Sequence, residues 1–195
     1  MHSINWKDQL RNSIRTVDDL KKRVDLTEEE EEKLGEAIKT FPMRIPPYYF
    51  DLIDWDDPDD PIKRQVIPSL EELSVTGSLD PSQEVTITRL RGVQHKYLPT
   101  ALFLVSDICS GYCRFCFRRR LKVEGRTDQI IETEEHLKNA LEYVKEHEEI
   151  DNVLISGGDP LLLNNEWLDA ILTGLRDIEH VRMIRIGTRT PAYLP

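Results

Sequence analysis

With 195 residues, 39% hydrophobic and 32% charged, the chain has the composition of a globular domain, or of a small domain joined to part of a larger one. Its net charge of -10 excludes nucleic-acid binding carried chiefly by phosphate contacts, which needs a basic surface. No apolar run approaches the roughly 20 residues of a membrane-spanning helix, and the polar sequence after Met1 is unlike a signal peptide. The expectation is a cytoplasmic protein with neither a membrane nor a nucleic acid as partner.

Residues 1–41 predict a segment of short helices. Thr16 and Thr27 each precede an acidic first turn in the capping-box pattern, and Leu34, Ile38 and Phe41 recur at helical spacing. The acid run Glu28 to Glu32 therefore reads as a helix start with a solvated face, not a metal site. Residues 42–98 predict an extended, proline-rich arm, since seven of the eleven prolines fall between Pro42 and Pro81. The aspartates of "DWDDPDDP" read as turn formers, because the glycine and terminal glutamate of a calcium loop are missing.

From residue 99 to 195 the pattern becomes regular. "ALFLV" is a short apolar run of strand type, "DNVLIS" a second, buried-type strand and "VRMIRIGT" a third strand. Between them, "TEEHLKNALEYVKEHEE" places Leu137, Ala140, Leu141 and Val144 on one helical stripe behind Thr133 as cap. "NNEWLDAILTGLRDI" does the same with Trp167, Leu168, Ile171, Leu172 and Leu175. Such alternation predicts βαβ units on a parallel sheet, an α/β fold. Three strands with two crossovers leave an exposed edge and half a core, so the expectation is the first half of a larger barrel or open sheet.

Every cysteine lies in "SDICSGYCRFCFRRRLKVEG": Cys109, Cys113 and Cys116, directly after the first strand. In a reducing compartment such a cluster reads as metal or redox ligands before disulfides. A C-x3-C-x2-C spacing at the carboxyl end of a parallel strand places three sulfurs on one loop. A cluster held by three thiolates keeps one iron open to chemistry. The alternative is zinc, which needs a fourth protein ligand such as His95.

The sequence resembles the radical S-adenosylmethionine superfamily and, within it, the lysine 2,3-aminomutase family. The resemblance is carried by "CSGYCRFCFRRR", "LISGGDPLL", "VRMIRIGTRTP" and "RIPPYYFDLIDWDDPDDPIKRQVIPS", and it extends from about Trp6 to the last residue. It implies an N-terminal helical region and proline-rich arm, followed by the first half of a partial (βα) radical-SAM barrel.

By that resemblance Cys109, Cys113 and Cys116 ligate three irons of a [4Fe-4S] cluster, and S-adenosyl-L-methionine chelates the fourth. Reduction of the cluster then yields a 5′-deoxyadenosyl radical for 1,2-amino migration on an amino acid. Gly157 and Gly158 let the backbone approach the methionine moiety, with Asp159 as an acceptor near its ammonium; a plain strand-to-helix turn is the competing account. Arg118 stands where the family pairs the substrate carboxylate, a task suited to a planar guanidinium. Arg119 and Arg120 read as backbone or cluster-shielding contacts. "HKYLPT" aligns with the segment that holds the phosphate of pyridoxal 5′-phosphate. Tyr97 matches there, Lys96 stands where arginine is usual, and Thr100 replaces a second arginine.

The resemblance further implies an amino-acid substrate, an electron donor such as ferredoxin or flavodoxin, and a homo-oligomer in the intact family. The pyridoxal lysine and the substrate-choosing acids belong to the family's C-terminal half, so the expectation is either a fragment or split gene whose complement is missing, or a degenerate protein unable to run the full reaction. Competing readings are an aminomutase relative acting on glutamate or protein-bound lysine, a non-catalytic iron-sulfur or electron-transfer module, and a zinc-binding interaction module.

Overall fold

The computed structural model describes residues 5–74, 77–116, 118–123 and 129–195. Phe117, within the cysteine motif, and Glu124 and Gly125, at the end of the basic stretch, lie outside the described residues. In chain order the helices are α1 (Trp6–Arg11), α2 (Val17–Lys21), α3 (Glu28–Thr40), α4 (Pro47–Phe50) and α5 (Lys63–Val66), then a 3-10 turn at Leu70–Leu73. Next come α6 (Glu84–Ile87) and strands β1 (Thr88–Leu90), β2 (Val93–Tyr97) and β3 (Thr100–Ser106). After the cysteines follow α7 (Arg120–Val123), α8 (Glu134–Glu146), β4 (Asn152–Gly157), a 3-10 turn at Pro160–Leu162, α9 (Asn165–Arg176), β5 (Met183–Ile186) and α10 (Thr190–Tyr193). No helix among the described residues is long and apolar enough to cross a membrane.

These elements form two compact units, one comprising Met1–Leu79, Ser110–Glu124 and Arg189–Pro195, the other Asp80–Cys109 and Gly125–Thr188. Residues 42–98 contribute to both. Residues 42–79 join the N-terminal helices, whereas 80–98 join the sheet, because β1 and β2 hydrogen-bond onto β3.

The second unit is a mixed α/β structure around one five-stranded sheet in the order β1-β2-β3-β4-β5. Strands β3, β4 and β5 are parallel, with Ala101 opposite Val153 and Val153 opposite Ile184. Strands β1 and β2 add an antiparallel hairpin closed at Arg91 and Gly92. On one face Ala101, Phe103, Val105, Val153 and Ile155 are fully buried or nearly so. They share a core with Leu137, Ala140 and Val144 of α8 and Ile171 and Leu175 of α9. Burying side chains of this size contributes about 1.5–3 kcal/mol each, which fixes both the crossovers and the strand register.

The two crossover helices start where their sequences signal. The Thr133 hydroxyl accepts from the His136 amide at 3.2 Å, and Asn164 Oδ1 accepts from Trp167 at 2.7 Å. At the other end of α8, His147 Nδ1 donates to the Tyr143 carbonyl at 2.7 Å and His180 Nε2 to that of Val144 at 3.0 Å. Two last-turn carbonyls are thereby satisfied.

In the first unit Thr16 with Asp19 and Thr27 with Glu30 form complete capping boxes. The acidic run is thus the first turn of α3. In the aspartate-rich stretch, Asp54, Asp57 and Asp60 accept from the amides of Asp56, Asp59 and Lys63, which is turn chemistry. The Glu30 carboxyl sits below the usual glutamate range, mainly because it accepts the Thr27 amide and hydroxyl. Thr27→Ala is expected to cost about 1 kcal/mol at neutral pH. A carboxylate whose folded pKa is depressed adds stability only above its unfolded value. The gap between wild type and variant, followed by thermal denaturation, is therefore expected to narrow as pH falls through the Glu30 titration.

Candidate functional site

The three cysteines are divided between the units: Cys109 closes the loop after β3 in the second, and Cys113 and Cys116 lie in the first. In the second unit the carboxyl ends of β3 and β4 are joined backbone to backbone. The Gly158 amide donates to the Ser106 carbonyl at 2.5 Å, and that of Asp159 to Ile108 at 2.6 Å. The Ser106 hydroxyl turns the loop by accepting the Ile108 amide at 3.0 Å.

Both glycines of the Gly-Gly turn are demanded by this closeness. Gly157 adopts φ +122°, outside the range of ordinary side chains, and a Cβ there would strike the Ser106 carbonyl. A Cβ on Gly158 would press into the Ile108 carbonyl and lie 2.7 Å from the Asp107 carbonyl carbon. The close neighbour in this structure is the chain's own cysteine-bearing loop. Asp159 is 3% exposed and caps the following 3-10 turn, its Oδ1 accepting from the Leu161 amide at 3.1 Å and the Thr188 hydroxyl at 2.6 Å.

In the first unit a tight turn carries Cys113 and Cys116, with the Cys116 amide donating to the Cys113 carbonyl at 3.2 Å. This loop is clamped to the proline-rich segment. The Tyr112 amide donates to the Arg44 carbonyl at 3.0 Å, and that of Arg114 to Gln65 at 2.8 Å. Arg114 makes a two-pronged pair with Glu72, at 2.9 and 2.7 Å, and gives a third bond to the Pro42 carbonyl at 3.0 Å. Arg119 adds an ion pair to the same Glu72 at 3.2 Å, bonds the Arg114 carbonyl, and lies over the Phe41 ring. Its work is therefore in holding the loop. Arg118 is half-buried in the turn before α7, its carbonyl accepting from the Leu121 amide at 3.0 Å.

None of the three cysteines is in a disulfide, and all are of intermediate exposure. Two neighbours address Cys113: Arg189 Nη1 donates to its Sγ at 3.3 Å, and the Tyr193 hydroxyl stands at 3.3 Å. Burial, with the Cys113 thiol and Tyr49 adding to it, pushes the Tyr193 hydroxyl far above the usual tyrosine range. Tyr193 and Arg189 were invisible to sequence patterning, since 80 and 76 positions separate them from Cys113.

Among the described residues no three His, Cys, Asp or Glu side chains converge as a finished metal site. What fits an iron-sulfur cluster is the donor chemistry: three thiols outside any disulfide, one of them, Cys113, facing a guanidinium suited to an anionic sulfur. His95 is a poor fourth ligand for zinc. Its Nδ1 engages the Tyr143 hydroxyl at 2.9 Å and its Nε2 the Leu98 carbonyl at 3.0 Å. Lys96 and Tyr97 are exposed at the end of β2, with Lys96 Nζ donating to the Ser82 carbonyl at 3.4 Å. A groove of about 1020 Å³ runs between α8 and α9, and no cysteine lines it.

Residues 103–195 match the family model of the radical SAM superfamily. The chain is 42% identical over 193 residues to an L-lysine 2,3-aminomutase of Clostridium subterminale, covering 98% of this chain and 46% of that protein. It is 44% identical over 182 residues to a putative L-lysine 2,3-aminomutase of Aquifex aeolicus, covering 93% and 48%. With a glutamate 2,3-aminomutase of Clostridioides difficile the identity is 38% over 192 residues, covering 98% and 45%. The chain thus spans about half the length of the curated relatives it matches.

Proposed function

We propose, from the premise that this chain belongs to the radical S-adenosylmethionine superfamily as a relative of its lysine 2,3-aminomutases, that it is the cluster-carrying part of an amino-acid aminomutase. Cys109, Cys113 and Cys116 hold three irons of a [4Fe-4S] cluster and leave the fourth to S-adenosylmethionine. The observation that carries this reading is a set of three cysteines, none in a disulfide, spaced C-x3-C-x2-C after the carboxyl end of a parallel strand. Bound together, cluster and S-adenosylmethionine supply one-electron chemistry that makes a carbon radical on the substrate.

The chain's own residues then bind and orient. The β3-α8-β4-α9-β5 succession is the opening of a (βα) barrel, whose strand ends gather the ligands. Gly157 and Gly158 keep that end free of side chains, and Asp159 offers a carboxylate whose direction the Thr188 hydroxyl fixes. Arg118 pairs with the substrate carboxylate through its planar guanidinium. Lys96 and Tyr97, exposed at the end of β2, bind the phosphate of a pyridoxal phosphate. An amino acid is the substrate and a small electron-transfer protein such as ferredoxin or flavodoxin the reductant. The remaining substrate-choosing groups are supplied by sequence corresponding to the other half of the relatives.

The test is anaerobic reconstitution with iron and sulfide. Expected are about four irons per chain and an electron paramagnetic resonance signal, after reduction, that changes when S-adenosylmethionine is added. Zinc in place of iron, or a signal indifferent to S-adenosylmethionine, would overturn the reading. Changing any one of the three cysteines to alanine is expected to abolish the intact cluster. Retention of full iron and sulfide by such a variant would sink the ligand assignment.

A further inference from the structure

We infer that Tyr193 and Arg189 are positioning residues that act through the sulfur of Cys113 to set the reduction potential of the metal centre; the inference rests on the cluster reading above. A metal-bound cysteine carries no proton, so both neighbours must donate: the guanidinium of Arg189 at 3.3 Å and the hydroxyl of Tyr193 at 3.3 Å. A thiolate that accepts hydrogen bonds gives less electron density to its iron, which favours the reduced cluster and raises its potential. The effect matters here because the proposed chemistry begins with an electron entering the cluster.

Tyr193 is built in, and Arg189, itself exposed, is held by a ring contact. Tyr193 is 1% exposed and its ring packs against Tyr49 with centroids 4.4 Å apart. On another side the ring meets Gly111, where a Cβ would stand 2.5 Å from Cε1 and drive the phenol away from the sulfur. Arg189 is pinned by stacking over Phe115, 4.0 Å from the ring centroid, inside the same motif. Helix α10, which carries Tyr193, begins immediately after Arg189, so a single short segment delivers both donors.

The experiment uses the whole chain, reconstituted anaerobically, with the midpoint potential read by redox titration of the resonance signal. Tyr193→Phe keeps the ring and removes one donor; Arg189→Gln removes the guanidinium's charge and its reach to the sulfur. Both variants are expected to retain full iron and sulfide and to titrate at a more negative potential than wild type, the double variant lower than either. Arg189→Lys, which keeps a cationic donor, is expected to recover part of the shift. Intact clusters at the wild-type potential in Tyr193→Phe and Arg189→Gln would overturn the inference. Should Tyr193→Phe lose its cluster, an unchanged potential in Arg189→Gln overturns it equally. A wild-type chain that assembles no cluster overturns the underlying reading, an outcome distinct from either.

Discussion

Replacing Gly158 with alanine is expected to lower stability by about 3 kcal/mol or more, because the added methyl meets backbone and not a side chain that could swing aside. The atoms in its way are the Ile108 carbonyl, the Asp107 carbonyl carbon and the Ile108 amide, the last two at 2.7 Å. Moving them means opening the bonds from Gly158 to Ser106 and from Asp159 to Ile108. Chemical denaturation followed by circular dichroism gives the size of the loss. Faster amide exchange at positions 158 and 159 locates it. Gly35 in α3 provides the opposite sign, since nothing lies within 4 Å of a Cβ there. Gly35→Ala is expected to stabilise by about 0.5–1 kcal/mol, through the loss of glycine's backbone entropy in a helix. A Gly158→Ala variant as stable as wild type would show that the loop after β3 does not sit against the Gly-Gly turn.

Glu72→Ala is expected to be comparably damaging, at about 3–5 kcal/mol, because it strands a mostly buried guanidinium. Arg114 and Glu72 side chains are 10% and 14% exposed, and Arg119 leans on the same carboxylate. The decisive comparison is with Arg114→Met combined with Glu72→Leu. Buried ion pairs often cost as much in desolvation as they return, so the double variant is expected to recover much of the loss. If the clamp also presents the cysteine loop correctly, the double variant will be stable yet poor in iron. A single Glu72→Ala variant as stable as wild type would show that the pair is solvated and holds nothing.

Where a residue's role depends on near neighbours, the sequence was an adequate guide. Thr16, Thr27 and Thr133 cap the helices their spacing announced, and Leu137, Ala140, Val144, Ile171 and Leu175 face the core as their periodicity required. The three parallel strands follow from apolar runs with two long crossovers. Strands β1 and β2 were hidden because they are short and rich in charge. Their one local signal is the Arg91-Gly92 turn, with Gly92 at φ +74°. Contacts across long separations left no trace at all. Nothing near Arg114 announces Glu72, 42 positions earlier, and nothing near Cys113 announces Tyr193. The Gly-Gly turn was legible as a place of close approach. Which neighbour approaches, the loop after β3, required the fold.

Strand β5 has consequences for handling the protein. Among the described residues it pairs with β4 alone, and Met183 and Ile186 on it are 53% and 39% exposed. At high concentration another copy can lay a strand along that border, and mutual repulsion between molecules carrying a net charge of -10 holds this in check. That repulsion reaches only about 8 Å at physiological ionic strength. Light scattering of concentrated samples is therefore expected to rise with added salt and to stay low in dilute buffer, and a lysine at position 183 is expected to widen the range in which the solution remains clear.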